Sequence, residues 1–240
     1  MSENFRLNPL SKPKIVRGWH RALAALVSSC LTASVDFGVG NAAPELAALP
    51  VCSPSLEHCL AVHVFVPADS DLQHWLATQI ATANDRLKVI RAGVQVVQVS
   101  QLPPQHRAIA ATSQRTQLGQ LSAQTPLRWF VVDRLQDDVE AHRERKGVTW
   151  RNGAQFWVIE ANSAWRWVFA HELGHVLGLG HSREPASIMN KTPRAWPPPW
   201  RIGFTAKEQP TLLRTLRKLL KTGQLQAVSR QPERKGTQQE

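Results

Sequence analysis

Tyrosine is absent from all 240 residues. No step can therefore rest on a phenol, either as a metal ligand or as a donor to a developing negative charge. A long apolar run is missing too. The best candidate, residues 22–35, is too short to span a bilayer as a helix. Cysteine is scarce, at three residues, and acids are in the minority, 18 against 29 Lys and Arg, for a net charge of +11. That imbalance invites a nucleic-acid reading, so its location matters. Residues 1–21 carry a net +4 and residues 207–240 a net +5, which leaves +2 over the 185 residues between. The charge belongs to the ends. A near-neutral middle lacks the basic stripe of a nucleic-acid surface, and no nucleic-acid partner is expected. With 42% hydrophobic and 20% charged residues, the chain has the composition of one globular domain plus extensions.

The basic start has a different meaning. Lys12, Lys14, Arg17 and Arg21 precede the apolar, small-residue stretch 22–35. A charged region, a short apolar region and then small residues is the layout of a secretory signal. Gly40-Asn41-Ala42 supplies small-x-small at the cleavage position. Residues 1–42 are therefore expected to be a signal, and the protein exported, periplasmic or secreted, with no integral span in the mature chain. The alternative is a disordered basic arm followed by a soluble helix. Val27-Ser28-Ser29-Cys30 also resembles a degenerate bacterial lipobox, which keeps open a lipoprotein anchored at Cys30. Without residues 1–42, Cys52 and Cys59 remain, seven apart around Ser53-Pro54. An even pair in an exported chain reads as a disulfide, with two free buried thiols as the alternative.

What the chain does have is His171-Glu172-Leu173-Gly174-His175-Val176-Leu177-Gly178-Leu179-Gly180-His181. On a helix, positions four apart share a face, so His171 and His175 can aim two imidazoles at one metal ion. Glu172 is the next residue round, beside the metal, where a carboxylate can hold a water. Gly178 permits the positive φ that ends a helix and turns the chain back, bringing His181 in as a third ligand. Three neutral imidazoles and a water form the open site of a catalytic zinc. The string H-E-x-x-H-x-x-G-x-x-H fixes five positions. Followed by a Met-turn, it is the metzincin signature, and Ser187-Ile188-Met189-Asn190 lies eight residues beyond His181.

On these residues, the stretch from about Val62 to Lys221 resembles a metzincin metallopeptidase, and within that clan it is most similar to the matrixins. Ser182 follows the third His as in matrixins, where astacins carry Glu and adamalysins Asp. Astacins and serralysins also place a zinc-binding Tyr two residues after the Met. Here that position is Lys191, so the Tyr-assisted mechanism is excluded. The resemblance implies an α/β (α+β) metzincin-like fold. It has a mixed twisted sheet of about five strands, two long helices, an irregular lower lobe and a C-terminal helix. It further implies one Zn(2+) per chain on His171, His175 and His181, Glu172 as general base, and Met189 packed beneath the metal site. A protein or peptide substrate and a monomer are expected. Matrixins carry calcium and a second zinc in the region matching residues 101–126. That stretch offers only His106 and no acid, so neither ion is carried over.

Periodicity places these parts. Residues 61–66 read as a strand, and His63 within it as a core or sheet-face residue. A helix follows, capped by Asp69 or Ser70, running to about Arg91 and ended by Gly93; then come strand 94–99, an irregular connection over 101–126, and strand 127–133. Residues 148–159 form a hairpin around Asn152-Gly153, a type I′ turn signal. Its first strand would line the cleft, with Trp150 and Arg151 as candidate cleft residues. Asn162 or Ser163 caps the zinc helix, expected to reach Leu177. A stiff Trp196-Pro197-Pro198-Pro199-Trp200 segment could wall the substrate pocket. Thr205 and Glu208 form a capping box for a last helix ending near Lys221. The expected domains are a signal (1–42), a disulfide-closed segment (43–60), a catalytic domain (61–222) and a disordered tail (223–240). The expected function is an exported zinc endopeptidase in which Glu172 activates a water on the metal. The rival is an exported zinc-binding module without turnover, against which Glu172 argues, since pure binding needs no base.

Overall fold

Strand positions in this chain are β-branched or aromatic on both faces, which calls for a sheet covered on two sides. The computed structural model describes residues 46–229, apart from 139, 141 and 193–195. The expected signal and Cys30 lie outside the described residues. In chain order the elements are β1 (His58–Val66), α1 (Gln73–Leu87), β2 (Ala92–Gln101), β3 (Ala108–Ile109), α2 (Thr112–Leu118) and β4 (Leu127–Val132). They continue with β5 (Arg134–Leu135), β6 (Gly147–Asn152), β7 (Gln155–Ala161), α3 (Val168–Val176) and α4 (Gln209–Lys221). The main sheet has the order β2-β1-β4-β7-β6. Its first four strands are parallel, and β6 runs antiparallel to β7 at the edge. This is the mixed five-stranded α/β sheet that the resemblance implies.

The alternation of side chains sorts the core. Leu60, Val62, Val64, Leu127, Trp129, Val131, Phe156 and Val158 face α1, α3 and α4. Phe65, Phe130, Val132, Trp157 and Ile159 face the β3/β5 pair and α2 on the other side. Trp129 and Phe169 stack at 3.9 Å between centroids, fastening the sheet to α3. His63 is the satisfied residue expected. Gln124 N–H donates to its Nδ1 at 3.1 Å, so Nε2 carries the proton and donates to Ser100 Oγ at 2.9 Å.

Several boundaries differ from the sequence reading. Asp69 and Ser70 do not cap α1, which starts after Leu72. Asp69 pairs instead with Arg107 at 2.7 Å, and Ser70 Oγ donates to Pro67 O. The helical stretch ends at Arg91, in the left-handed region at φ 55, not at Gly93. Gly93 lies in β2, where a β-carbon would crowd Leu56 and Asn84. The connection 101–126 is not wholly irregular, because Gln114 Oε1 accepts from the Ala110 and Ala111 N–H groups and starts α2. The hairpin joins β6 to β7 through Gly153 and Ala154, with Asn152 paired to Gln155. Only Gly153 has positive φ. That pattern, glycine first of the two, is a II′ turn and not the expected I′. Residues 223–228, expected to belong to a disordered tail, pack on the domain. Leu225 is buried, and Ala61 N–H and Cys59 O bond to Gln226 and Val228, so the chain to 228 covers the open side of β1. Cys52 and Cys59 form a disulfide that ties residue 52 to β1.

Candidate metal centre and cleft

Helix α3 carries His171 and His175 one turn apart and stops at Val176. Gly178 then takes φ 88. A β-carbon there would also come within 2.9 Å of Thr215 Oγ1 on α4, so both conformation and space demand glycine. The chain folds back, and the ligand atoms of His171, His175 and His181 all lie within 4.8 Å of one another. Two of the rings are locked from behind. His171 Nδ1–H donates to Ile188 O at 2.7 Å, and His175 Nδ1–H donates to Leu179 O at 2.8 Å. With carbonyls as acceptors, both Nδ1 atoms must carry protons, which leaves each Nε2 lone pair free for a metal. Burial lowers the His171 pKa to about 4 and also lowers that of His181, the latter helped by the charges of His175, Lys191 and Arg145. Converging imidazoles, two of them oriented from behind, suit a zinc ion.

Glu172 is 5% exposed. Burial raises its pKa to about 7, opposed by hydrogen bonds from Thr149 and the charge of Arg145; a bound cation beside it acts in the same direction as these. Strand β6 lies directly over this carboxylate. A β-carbon on Gly147 would fall 3.0 Å from Glu172 Oε1, and Thr149 Oγ1 is 2.8 Å from Oε2. Met189 is fully buried, and its sulfur sits so close under Gly174 that a β-carbon there would overlap it. Its turn is anchored by Ser187, which accepts from Met189 N–H and donates to Glu208 Oε1 at 2.6 Å. Glu208 Oε2 in turn accepts from Thr205 N–H at 2.7 Å. Only the carboxylate half of the expected capping box forms, and α4 begins at Gln209.

A cleft of about 1150 Å³ opens over the three histidines. Arg151 lines it, as the sequence suggested, but Trp150 does not. Successive side chains of a strand alternate. Gly147, Thr149 and Arg151 face the cleft, whereas Trp150 turns to α2, donating to Thr116 Oγ1 at 3.3 Å beneath Arg115. Pro197 and Pro199 line the cleft, but the flanking Trp196 and Trp200 stand in solvent, 68% and 74% exposed. The aromatic wall comes from Trp165 and Trp167 instead, ahead of α3. Asn162 and Ser163 do not cap that helix; they bond Asp133 and Lys146. Gln79 of α1 takes the role, accepting from Phe169 N–H at 3.4 Å and donating to Trp165 O at 3.0 Å. Thr149 was legible only through its alternation with Arg151. Gln79 carried no signal.

Comparison with known proteins agrees with this geometry. The family model described as Matrixin matches residues 98–199, which include the whole histidine motif and the Met-turn. No curated protein sequence matches. Among solved structures, metalloproteinase-II from Bacteroides fragilis is similar with a TM-score of 0.50 and 17% identity over 70% of this chain. This chain spans 56% of that protein's length. An archaemetzincin from Methanopyrus kandleri aligns over 70% of this chain and 99% of its own, with 14% identity and a TM-score of 0.45. At 17% identity the Bacteroides structure speaks for a shared fold alone. In fold and in motif the chain is metzincin-like, and over residues 98–199 it is similar to the matrixins.

Proposed function

We propose that the chain is an exported zinc-dependent endopeptidase, and that His171, His175 and His181 hold its metal while Glu172 is its general base. The observation that carries this reading is the pairing of a three-imidazole cradle with a buried carboxylate on the next helix position, both opening on one cleft. When bound, zinc supplies a Lewis acid that acidifies water and polarises a carbonyl. The protein's own groups do the rest. Glu172 takes a proton from the attacking water and returns it to the leaving amine. Thr149 holds that carboxylate in place, and Gly147 leaves room for it. The six residues of β6 form an edge on which an extended peptide pairs through its backbone, a length of roughly 20 Å that accommodates residues on both sides of a scissile bond. Export is supported by the Cys52–Cys59 bond. No helix among the described residues is long and apolar enough to cross a membrane.

The test uses metal analysis and peptide cleavage together. Purified protein is expected to hold one zinc per chain, and His181→Ala to weaken it severely. Glu172→Ala is expected to keep the metal and lose cleavage of a mixed peptide library by about 10²–10⁴-fold. Cleavage undiminished in that variant refutes the base, and a metal-binding protein that cleaves nothing supports the module without turnover. N-terminal sequencing of exported protein is expected to find a start near Ala43.

A further inference from the structure

Charge around the cleft is not balanced, although the chain between its basic ends is close to neutral. Besides Glu172, two acids line the cleft, and both are already paired. Asp137 meets Arg145 at 2.9 Å, and Glu144 meets Arg134 at 3.0 Å. The cations are not all matched. Lys146, Arg151 and Lys191 line the cleft, are exposed, and have no ion-pair partner among the described residues, although Lys146 donates to Ser163 Oγ at 3.0 Å. Arg151 and Lys191 share their cleft with Glu172 and the three histidines. Arg151 leaves β6 on the same face as Thr149, which touches Glu172, and lies two residues further along, roughly 7 Å. Lys191 reaches the cleft from a different element, the segment that follows the Met-turn, two residues after Met189. A peptide paired along β6 therefore meets Arg151 and Lys191, neither of them ion-paired, in a cleft whose one unpaired acid among the described residues is Glu172.

We propose that this cleft selects peptides with acidic side chains flanking the bond presented to Glu172, held by Arg151 on the strand wall and Lys191 on the Met-turn wall. The inference rests on the peptidase reading and names the substrate class of the same site. A carboxylate in the peptide relieves the mutual repulsion of the two cations, and a lysine adds to it. Both cations are solvent-exposed, so each pairing is modest and screened by salt. Together they favour an acidic over a neutral peptide by about tenfold at low ionic strength.

The experiment uses peptides blocked at both ends, identical except for Glu, Gln or Lys on either side of the central bond. Blocking the ends separates side-chain carboxylates from a free peptide terminus. Binding to the full-length Glu172→Gln protein is measured by fluorescence anisotropy at low and high salt, and cleavage by the wild-type protein in parallel. The expected order is Glu over Gln over Lys, with the Glu advantage collapsing at high salt. Arg151→Glu and Lys191→Glu each narrow the gap, and the double variant reverses the order. Equal binding of the three peptides, an order untouched by the double variant, or a preference that appears only with a free carboxyl terminus overturns the proposal. Ordered binding without wild-type cleavage of any peptide refutes the peptidase reading and leaves the acidic ligand class standing. Cleavage without order does the reverse.

Discussion

Thr149 Oγ1 lies 2.8 Å from the side-chain Oε2 of Glu172 and 2.8 Å from the backbone carbonyl of the same residue. A hydroxyl has one proton to give and two lone pairs to receive. When Glu172 is ionised, Thr149 donates to the carboxylate. When Glu172 holds a proton, it can donate to Oγ1 while the hydroxyl turns to the carbonyl. One side chain thus serves both protonation states of Glu172, and it joins the edge strand to α3 while doing so.

Thr149→Val keeps the shape and removes the hydroxyl. Because Thr149 lowers the Glu172 pKa, its loss raises that pKa, so the acid limb of the activity profile moves to higher pH. Losing a hydrogen bond to a charged group costs about 1.5–3 kcal/mol, which is about a ten- to hundredfold drop in kcat. Thr149→Ser is expected to restore both the rate and the profile, and zinc content to stay unchanged in either variant. A rate loss without a pH shift would assign Thr149 to packing alone.

The histidine centre was legible because its determinants are local. Helical spacing faces His171 with His175, and Gly178 supplies the turn that returns His181 within the same eleven residues. What escaped the sequence depends on partners far along the chain. Asn162 and Ser163 have the right chemistry for a cap, but tertiary contacts with Asp133 and Lys146 claim them. The helix instead starts where Gln79, 90 residues away, meets Phe169 N–H. Trp150 and Arg151 were assigned together, yet a strand sends neighbours to opposite faces, so one of the pair had to point away. Arg91 ends its helical stretch in a conformation that glycine, two residues on, was expected to provide. Patterning located the elements. It did not locate their ends.

Gln79 shows what such a distant contact is worth. Its side chain is fully buried and bonds both Trp165 O and Phe169 N–H. Gln79→Leu leaves a carbonyl and a helix-terminal N–H without partners, a cost of about 1–3 kcal/mol. Urea unfolding is expected to show that loss, and hydrogen exchange to show faster opening at Phe169 than at the buried strand β4. An equally stable variant would mean that water satisfies both groups.

The sulfur of Met189 under Gly174 couples the Met-turn to α3, which carries His171 and His175. Gly174→Ala forces them apart, at about 1–3 kcal/mol for overpacking. Since His171 is oriented by Ile188 O next door, zinc affinity is expected to fall as well. Met189→Ala makes room. In a double-mutant cycle, Gly174→Ala should therefore cost less in the Met189→Ala background than in the wild type. Strict additivity of the two changes would place the strain elsewhere.

Glu160 on β7 supplies the pH dependence of stability. It is fully buried, neither carboxyl oxygen has a hydrogen-bond partner among the described residues, and the nearby Trp129 indole N–H falls short of bonding geometry. Burial, with the negative charge of Glu172 adding to it, raises its pKa well above 4.5. The folded state therefore binds this proton more tightly than the unfolded chain does. The resulting contribution is fully present below pH 4.5, where both states are protonated, and is lost as pH rises above it, at up to about 1.4 kcal/mol per unit for one group. Glu160→Gln cannot ionise and escapes the loss. Urea unfolding from pH 4 to 8 is expected to give a variant whose advantage over wild type grows with pH. Removing the Glu172 charge in the wild-type background should shrink that advantage, because the repulsion that helps to hold the proton on Glu160 is then gone. Parallel stability curves for Glu160→Gln and wild type across this range would show that Glu160 finds its compensation in the folded protein after all.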